Sequence, residues 1–347
     1  MEIEINSRPI GPKHSPYIIA EISANHNGSL SRALELILRA KACGVSAVKL
    51  QTFTPDTITL DHDGPGFVIE SGLWKGRRLF DLYKEAQTPW DWHPKIFEYC
   101  RSIGLTVFSS PFDETAVDFL ESLGAPAYKI ASPEIVDTPL IKKAAKTGKP
   151  LIMSCGMASI EEISEAVAIA KSYGSGQIAL LHCVSAYPTE ERDANLATIP
   201  ELAKRFNVLS GLSDHSTHHR VAVLSVGTGA TIVEKHFIMS REEGGLDSAF
   251  SLEPDEMKIL VDECNRAFEI RGDFAFQTLS AETQTKKLRR SLYVVKDKKK
   301  GDVIQKSDIK SIRPSFGISP KYLDRVIGST ATRDLNYGDP LTFDMFS

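Results

Sequence analysis

The stretch IVEKHF, residues 232–237, opens apolar like a buried strand and then spends Glu234, Lys235 and His236 in a row. Burying a charged group without a partner costs on the order of several kcal/mol, so such a strand end is either solvent-exposed or a built site. Side chains of a strand alternate between its faces. On that parity Glu234 and His236 share one face, and Lys235 takes the other, where a salt bridge with surrounding helices would satisfy it.

The same texture recurs seven more times, in YIIAEIS (17–23), AVKLQTF (47–53), TVFSSPF (106–112), AYKIAS (127–132), PLIMSCG (150–156), IALLHCV (178–184) and VLSGLSD (208–214). Between most of these runs lie stretches with apolar residues at three- and four-residue spacing that close on glycine, such as 30–44 and 160–174. Strands alternating with helices indicate parallel pairing through βαβ units. Eight units predict an α/β fold of the (β/α)8 TIM-barrel type, with the active site at the C-terminal strand ends, where the polar residues collect. A doubly wound open sheet is the alternative, but it would need a GxGxxG turn after an early strand, and none occurs.

After the second run about fifty residues intervene before the third. This insertion, 54–92, holds Gly64, Gly66, Gly72, Gly76, Trp74 and Trp90, and reads as a lid or substrate loop or, equally, as a packed surface excursion. The barrel is expected over 1–280, a linker over 281–290 and a small β-rich domain over 291–347, where RSLYVVKDKKKGDVIQKSDIKSIRPSFGISP and the hairpin-like TRDLNYGDPLT change the texture. A domain that small has a marginal core and is expected to pack on something.

Composition excludes several classes. The 347 residues carry a formal net charge of -4, with 42% hydrophobic and 25% charged, so nothing favours nucleic acid or an acidic membrane surface. No apolar run approaches the roughly 20 residues of a membrane span, and MEIEINSRPI is acidic and polar where a signal peptide would be basic and then apolar. A cytoplasmic location is the expectation. The five cysteines, 43, 100, 155, 183 and 264, form no CxxC pair, which argues against a disulfide framework or structural zinc site. Cys155 and Cys183 read as small core residues.

Parity also groups Ser213 with His215, Lys49 with Gln51, and Glu21 with Ser23, so that four strands present polar pairs to one mouth. Lys129, Ser132 and Ser154 join them from other strand ends. His215 and His236, with Asp214 and Glu234 beside them, could share a divalent metal through imidazole nitrogens. Lys49 and Lys129 with Ser110, Ser132, Ser154 and Ser213 offer the cations and hydroxyls that a phosphate-carboxylate ligand requires. Either lysine could instead form a Schiff base, as in barrel aldolases. His182, among apolar neighbours, reads as a packed residue, and His218 and His219 as surface residues opening a helix.

Together AEISANHNG (20–28), AVKLQTF, FSSPF, YKIAS, GLSDHS (211–216) and VEKHF resemble the sialic acid synthase family, and IRPSFGISP (312–320) is similar to its antifreeze-like (SAF) domain. GLWKGRRLFDLYKEAQTPWDWH (72–93) and GGLDSAFSLEP (244–254) look like the pseudaminic acid branch, HCVSAYPTE (182–190) suits the legionaminic branch as well, and Cys155 stands where the family more often has threonine. The resemblance implies a metal-dependent condensation of phosphoenolpyruvate with an N-acetylated amino sugar aldehyde to a nine-carbon 2-keto acid and phosphate. The sugar would be 2,4-diacetamido-2,4,6-trideoxy-L-altrose, or in the alternatives a legionaminic or N-acetylneuraminic precursor. It implies His215 and His236 as ligands of Mn2+, Mg2+ or Co2+, Glu21, Gln51 and Asp247 on the sugar, and Lys49, Ser110, Lys129, Ser132, Ser154, Ser185 and Ser213 on phosphoenolpyruvate. Tyr187 joins the substrate-binding set, and Arg313 would reach from the small domain into a partner's barrel in a domain-swapped homodimer. Glu234, aimed by parity at the metal, is the candidate base for the attacking water or a sugar hydroxyl. A non-catalytic sugar-binding protein that kept the barrel is the alternative from outside enzymology.

Overall fold

Each of the eight runs forms a strand in the computed structural model, which describes residues 1–273 and 276–347. An antiparallel hairpin of β1 (Ile3–Ile5) and β2 (Arg8–Ile10) comes first. The strands β3 (Tyr17–Glu21), β4 (Ala47–Thr52), β5 (Thr106–Pro111), β6 (Tyr128–Ile130), β7 (Leu151–Ser154), β8 (Ile178–Cys183), β9 (Leu209–Asp214) and β10 (Ile232–His236) then pair in parallel and close when β10 meets β3. This is a TIM barrel, and the open-sheet alternative is set aside.

The outer ring follows from the helical spacing. Helix α1 (Leu30–Ala42) follows β3, and α2 (Pro55–Ile58) and α3 (Leu79–Ala86) lie in the insertion before α4 (His93–Ser102). One helix then follows each strand: α5 (Glu114–Ser122), α6 (Thr138–Ala145), α7 (Ile160–Tyr173), α8 (Thr198–Phe206), α9 (Arg220–Gly227) and α10 (Pro254–Arg271). Helix α1 buries Ala33, Leu36, Ile37 and Ala40, the face that the three- and four-residue spacing marks out. Helix α7 opens on a reciprocal cap, in which the Ser159 hydroxyl accepts from the Glu162 N–H at 3.2 Å and the Glu162 carboxylate accepts from the Ser159 N–H at 2.7 Å. A cap of this kind is worth about 1 kcal/mol.

Inside the barrel, alternation sorts the side chains into tiers. Tyr17, Ile19, Ala47, Phe108, Ala127, Ile152, Ala179, Leu181, Leu209 and Ile232 form an apolar cluster that also takes in Ile3, Ile5 and Ile10 of the hairpin. The acidic N-terminus therefore hides a plug, because Ile3, Ile5 and Ile10 alternate with exposed residues and fill the barrel floor. Two residues further along the strands, four on β9, the same inward direction reaches Glu21, Lys49, Ser110, Lys129, Ser154, Cys183, Ser213 and Glu234, all buried. A polar tier thus lies over an apolar one.

The chain divides into compact units at 1–272 and 273–347. In the second, α11 (Thr283–Lys286) precedes the antiparallel pair β11 (Ser291–Val294) and β12 (Ile309–Ile312), followed by α12 (Leu323–Val326). Its core is built from Leu292, Val294, Ile304, Ala331, Leu335 and Leu341, among others. The expected C-terminal turn is present at Asn336–Asp339, and its flanks bridge back to Tyr293 and Lys298 rather than forming a separate hairpin. No described helix is long and apolar enough to cross a membrane.

Candidate active site

Register brings the ionisable residues of the polar tier together. Glu21 is the strand partner of both Lys49 and His236, and Glu234 is the partner of Ser213. The Lys49 ammonium pairs with Glu21, lies 3.6 Å from Glu234 Oε1 and donates to Ser110 Oγ at 3.2 Å. Ser213 Oγ donates to Glu234 Oε1 at 3.3 Å. Lys129 Nζ donates to the Ile130 carbonyl at 3.0 Å, and the Ser132 hydroxyl accepts from the Gly156 N–H at 3.0 Å. A Cβ built on Gly156 would lie 2.4 Å from Ser185 Oγ and 2.8 Å from Ser132 Oγ, so glycine is what lets these two hydroxyls approach. The Ser154 hydroxyl, though buried, has no hydrogen-bond partner among the described residues.

The electrostatics follow from burial and neighbours. Burial pushes the Glu21 carboxyl up, against the pull of Lys49 and with the help of Glu234. Burial acts on Glu234 in the same sense, but Lys129, Lys49 and His215 outweigh it and hold that carboxyl low. For Lys49, the cost of burial is overcome by Glu21 and Glu234, which raise its pKa. Burial lowers Lys129, with Glu234 opposing. The two carboxyls are thus shifted in opposite senses, Glu21 up and Glu234 down.

The two imidazoles sit above this tier, ring centroids 5.4 Å apart. His215 donates its Nδ1 proton to the Val184 carbonyl at 3.2 Å; burial lowers its pKa, but Cys183, that carbonyl and Asp214 outweigh it and raise the ring's pKa. His236 Nδ1 is buried without a hydrogen-bond partner among the described residues and lies 3.8 Å from Asp247 Oδ2. Burial, then His215 and Lys49, lower His236 well below the usual histidine range, so its ring is neutral, the form that ligates. Asp247 also accepts from the Ser23 hydroxyl, and burial raises its carboxyl. Two imidazole nitrogens with a carboxylate oxygen beside them fit a divalent ion. Among the described residues no three His, Cys, Asp or Glu side chains are arranged to hold an ion together, so the protein's own donors for one would be the two imidazoles. Asp214 is not part of this group. It points to the opposite face of β9, where it pairs with Lys235 at 2.9 Å, and this corrects the expectation that Lys235 pairs with the surrounding helices.

Lys49, Lys129, Ser132, Ser154, Ser213, Glu234, His215, His236 and Asp247 line a cavity of about 350 Å³ whose other wall is apolar. The insertion supplies Ile69, Trp74, Leu79, Leu82, Tyr83 and Ala86, and Tyr187, Leu246 and Phe250 extend the wall, so the insertion lines the cavity rather than packing as a surface excursion. Trp74 donates its Nε1 proton to the Leu246 carbonyl at 3.0 Å and packs 5.7 Å from Tyr187, whose ring lies 4.5 Å from that of His215. Gln51 reaches Ser23 Oγ at 3.2 Å on the rim.

Residues 36–275 match the NeuB family and residues 289–347 match the SAF domain. The chain belongs to the NeuB family. It is 42% identical to the pseudaminic acid synthase of Campylobacter jejuni subsp. jejuni, over 94% of this chain and 95% of the relative. It is 40% identical to that of Helicobacter pylori, over 95% and 97%. Among solved structures, the N-acetylneuraminic acid synthetase of Leptospira borgpetersenii, crystallised with citrate, superposes with a TM-score of 0.75 at 33% identity, over 82% of this chain and 95% of that one.

In this NeuB-family enzyme Glu21 and Ser110 meet the cavity through their contacts with Lys49 rather than lining it, and Arg313 lies exposed in the second unit just after β12. Ser185 is half-buried, with its hydroxyl 3.8 Å from Cys183 Sγ. Cys183 itself was missed. It lines the cavity, and its sulfur is 3.8 Å from His215 Nδ1. Its parity with Ala179 and Leu181, both inward, was the available signal. His182 does keep a packing role, with Nε2 donating to the Ala194 carbonyl at 2.7 Å.

Proposed function

We propose that this enzyme condenses phosphoenolpyruvate with the open-chain aldehyde of 2,4-diacetamido-2,4,6-trideoxy-L-altrose, giving pseudaminic acid and phosphate. The observation that carries the reading is one cavity with two halves. Lys49, Lys129 and a ring of serine hydroxyls suit a phosphate and a carboxylate, and a wall of aromatic and aliphatic side chains suits a sugar in which acetamido and methyl groups replace hydroxyls. Relatives at 42% and 40% identity that bear the name pseudaminic acid synthase support the choice of sugar.

In the reaction, C3 of phosphoenolpyruvate attacks the aldehyde carbon, the new carbon–carbon bond leaves an oxocarbenium ion at C2, water adds there, and carbon–oxygen cleavage expels phosphate. Lys49, Lys129, Ser110, Ser132, Ser154, Ser185 and Ser213 bind and neutralise the phosphate and carboxylate, while Glu21, Gln51, Tyr187 and Asp247 hold the sugar. A divalent ion on His215 and His236, Mn2+, Mg2+ or Co2+, would supply Lewis-acid stabilisation of the oxygen charge that develops at the aldehyde. Glu234, ionised and beside Lys49, orients or deprotonates the water or a sugar hydroxyl. Glu21, whose carboxyl is raised, is suited to hold a proton between steps.

The second unit supports a homodimer in which Arg313 enters the partner's cavity. Residues 273–347 carry fourteen Lys and Arg against nine Asp and Glu, so the carboxylate excess lies in the barrel unit and the charges are complementary. Mixing an Arg313→Ala chain with a Lys129→Ala chain, each inactive alone, should restore part of the activity; no recovery in proven mixed dimers would remove the exchange. Five buried, unpaired cysteines suit a cytoplasmic setting.

The test is phosphate release from phosphoenolpyruvate with the L-altro diacetamido sugar, its D-manno counterpart and N-acetylmannosamine. The L-altro sugar should give the highest kcat/KM. Preference for the D-manno sugar would move the enzyme to the legionaminic branch, and preference for N-acetylmannosamine to the neuraminic one.

A further inference from the structure

Each candidate metal-binding histidine is preceded by a charged residue that faces away from the cavity. Asp214 precedes His215 at the end of β9, Lys235 precedes His236 at the end of β10, and the two are register partners. Both are buried, Lys235 completely. Lys235 Nζ donates to Asp214 Oδ2 at 2.9 Å, to the Ser216 carbonyl, and to Ser216 Oγ at 3.3 Å. The other Asp214 oxygen accepts from the Ser216 N–H at 2.8 Å. The residues on either side of His215 are therefore both tied to the residue before His236. On the inner face, Ser213 Oγ and Glu234 Oε1 join the same two strands at 3.3 Å.

A buried ion pair is a poor way to gain stability, because an apolar pair of similar volume often does as well or better. What it adds is a fixed geometry, since a charge that loses its partner here has no solvent to turn to. We infer that the Asp214–Lys235 pair is a positioning device that sets the separation and orientation of the His215 and His236 imidazoles, and through them the affinity for a divalent ion. The inference rests on the reading of those histidines as metal ligands. Outer partners that orient ligating residues typically govern metal affinity by about 10–100-fold.

The experiment is Mn2+ titration of the full-length chain, followed by the electron paramagnetic resonance signal of free Mn2+, with the thermal midpoint of the metal-free protein measured in parallel. Lys235→Met should weaken Mn2+ binding by about 10–100-fold and lower the midpoint, because Asp214 is left unpaired. The double variant Asp214→Asn with Lys235→Met should recover much of the midpoint without recovering the affinity. Ile5→Ala, at the barrel floor, should lower the midpoint and leave the affinity within about twofold of wild type, separating positioning from general loosening. If the double variant does not fold, Lys235→Gln, which keeps a donor to Asp214, should bind Mn2+ with intermediate affinity. A folded double variant, or failing that Lys235→Gln, that binds Mn2+ as wild type does would overturn the inference. A wild-type chain that takes up no Mn2+ would instead overturn the metal reading on which it rests.

Discussion

Lys49 of β4 and Glu234 of β10 lie 3.6 Å apart on the two flanks of β3, whose Glu21 pairs with the same ammonium. One cation thus serves two buried carboxylates, and the competition leaves Glu234 ionised and Glu21 raised. Glu234 Oε2 has no hydrogen-bond partner among the described residues, so one of its oxygens is unspent.

That unspent oxygen is the basis for the role of Glu234. Glu234→Gln is expected to lower kcat by about 10²–10⁴-fold, the usual worth of a positioned acid or base, with the phosphoenolpyruvate KM little changed. Steady-state kinetics checks it, and near-normal turnover with metal bound would assign the base elsewhere.

Metal removal separates the condensation from a Schiff-base aldolase. After exhaustive chelation activity should vanish and return with Mn2+, and borohydride with substrate should leave Lys49 and Lys129 unmodified by mass spectrometry. Activity that survives chelation, with a reduced adduct on either lysine, would favour the aldolase.

The substrate loop makes a separable contribution. Trp74 spans from the insertion to the segment that carries Asp247, through its bond to Leu246. Trp74→Ala should raise the sugar KM about tenfold, or about 1.4 kcal/mol, and leave the phosphoenolpyruvate KM within about twofold. Equal effects on both constants would mean that the loop shapes the whole cavity and not its sugar half.

Two histidines away from the cavity give the fold a pH dependence. Burial lowers His26 and His93 to about 4, and both are held in hydrogen bonds, His26 with Thr88 and His93 with Thr52 at 2.8 Å. Their folded values lie below the unfolded one, so the unfolded chain binds more protons in this window. Their contribution is complete above about pH 6.5 and is lost as pH falls through 4, at most about 3 to 3.5 kcal/mol for each ring. Urea midpoints from pH 7 to 4.5 should fall less steeply in His93→Gln than in wild type, and parallel curves would contradict this assignment.

How much of this was legible in the sequence depends on whether a feature follows from local period. Glu21, Lys49, Glu234 and His236 could be placed because strand alternation is local, and so could the barrel that eight such strands imply. The Asp214–Lys235 bond was not readable, because strand register is set by the closed sheet and not by either strand alone. Cys183 was hidden by its apolar neighbours, and the hairpin plug by an acidic composition that masked the alternation of Ile3 and Ile5. The insertion carried aromatic residues, but only folding shows that Trp74 turns inward onto Tyr187.

The condensation requires cleavage of the carbon–oxygen bond of phosphoenolpyruvate. Phosphoenolpyruvate carrying ¹⁸O in the bridging position, incubated with the enzyme, Mn2+ and the L-altro diacetamido sugar, tests it in one mass-spectrometric measurement. One nine-carbon keto acid should form for each phosphate released, with the label wholly in the phosphate. Label retained in the acid, or no phosphate released with any of the three sugars, would contradict it.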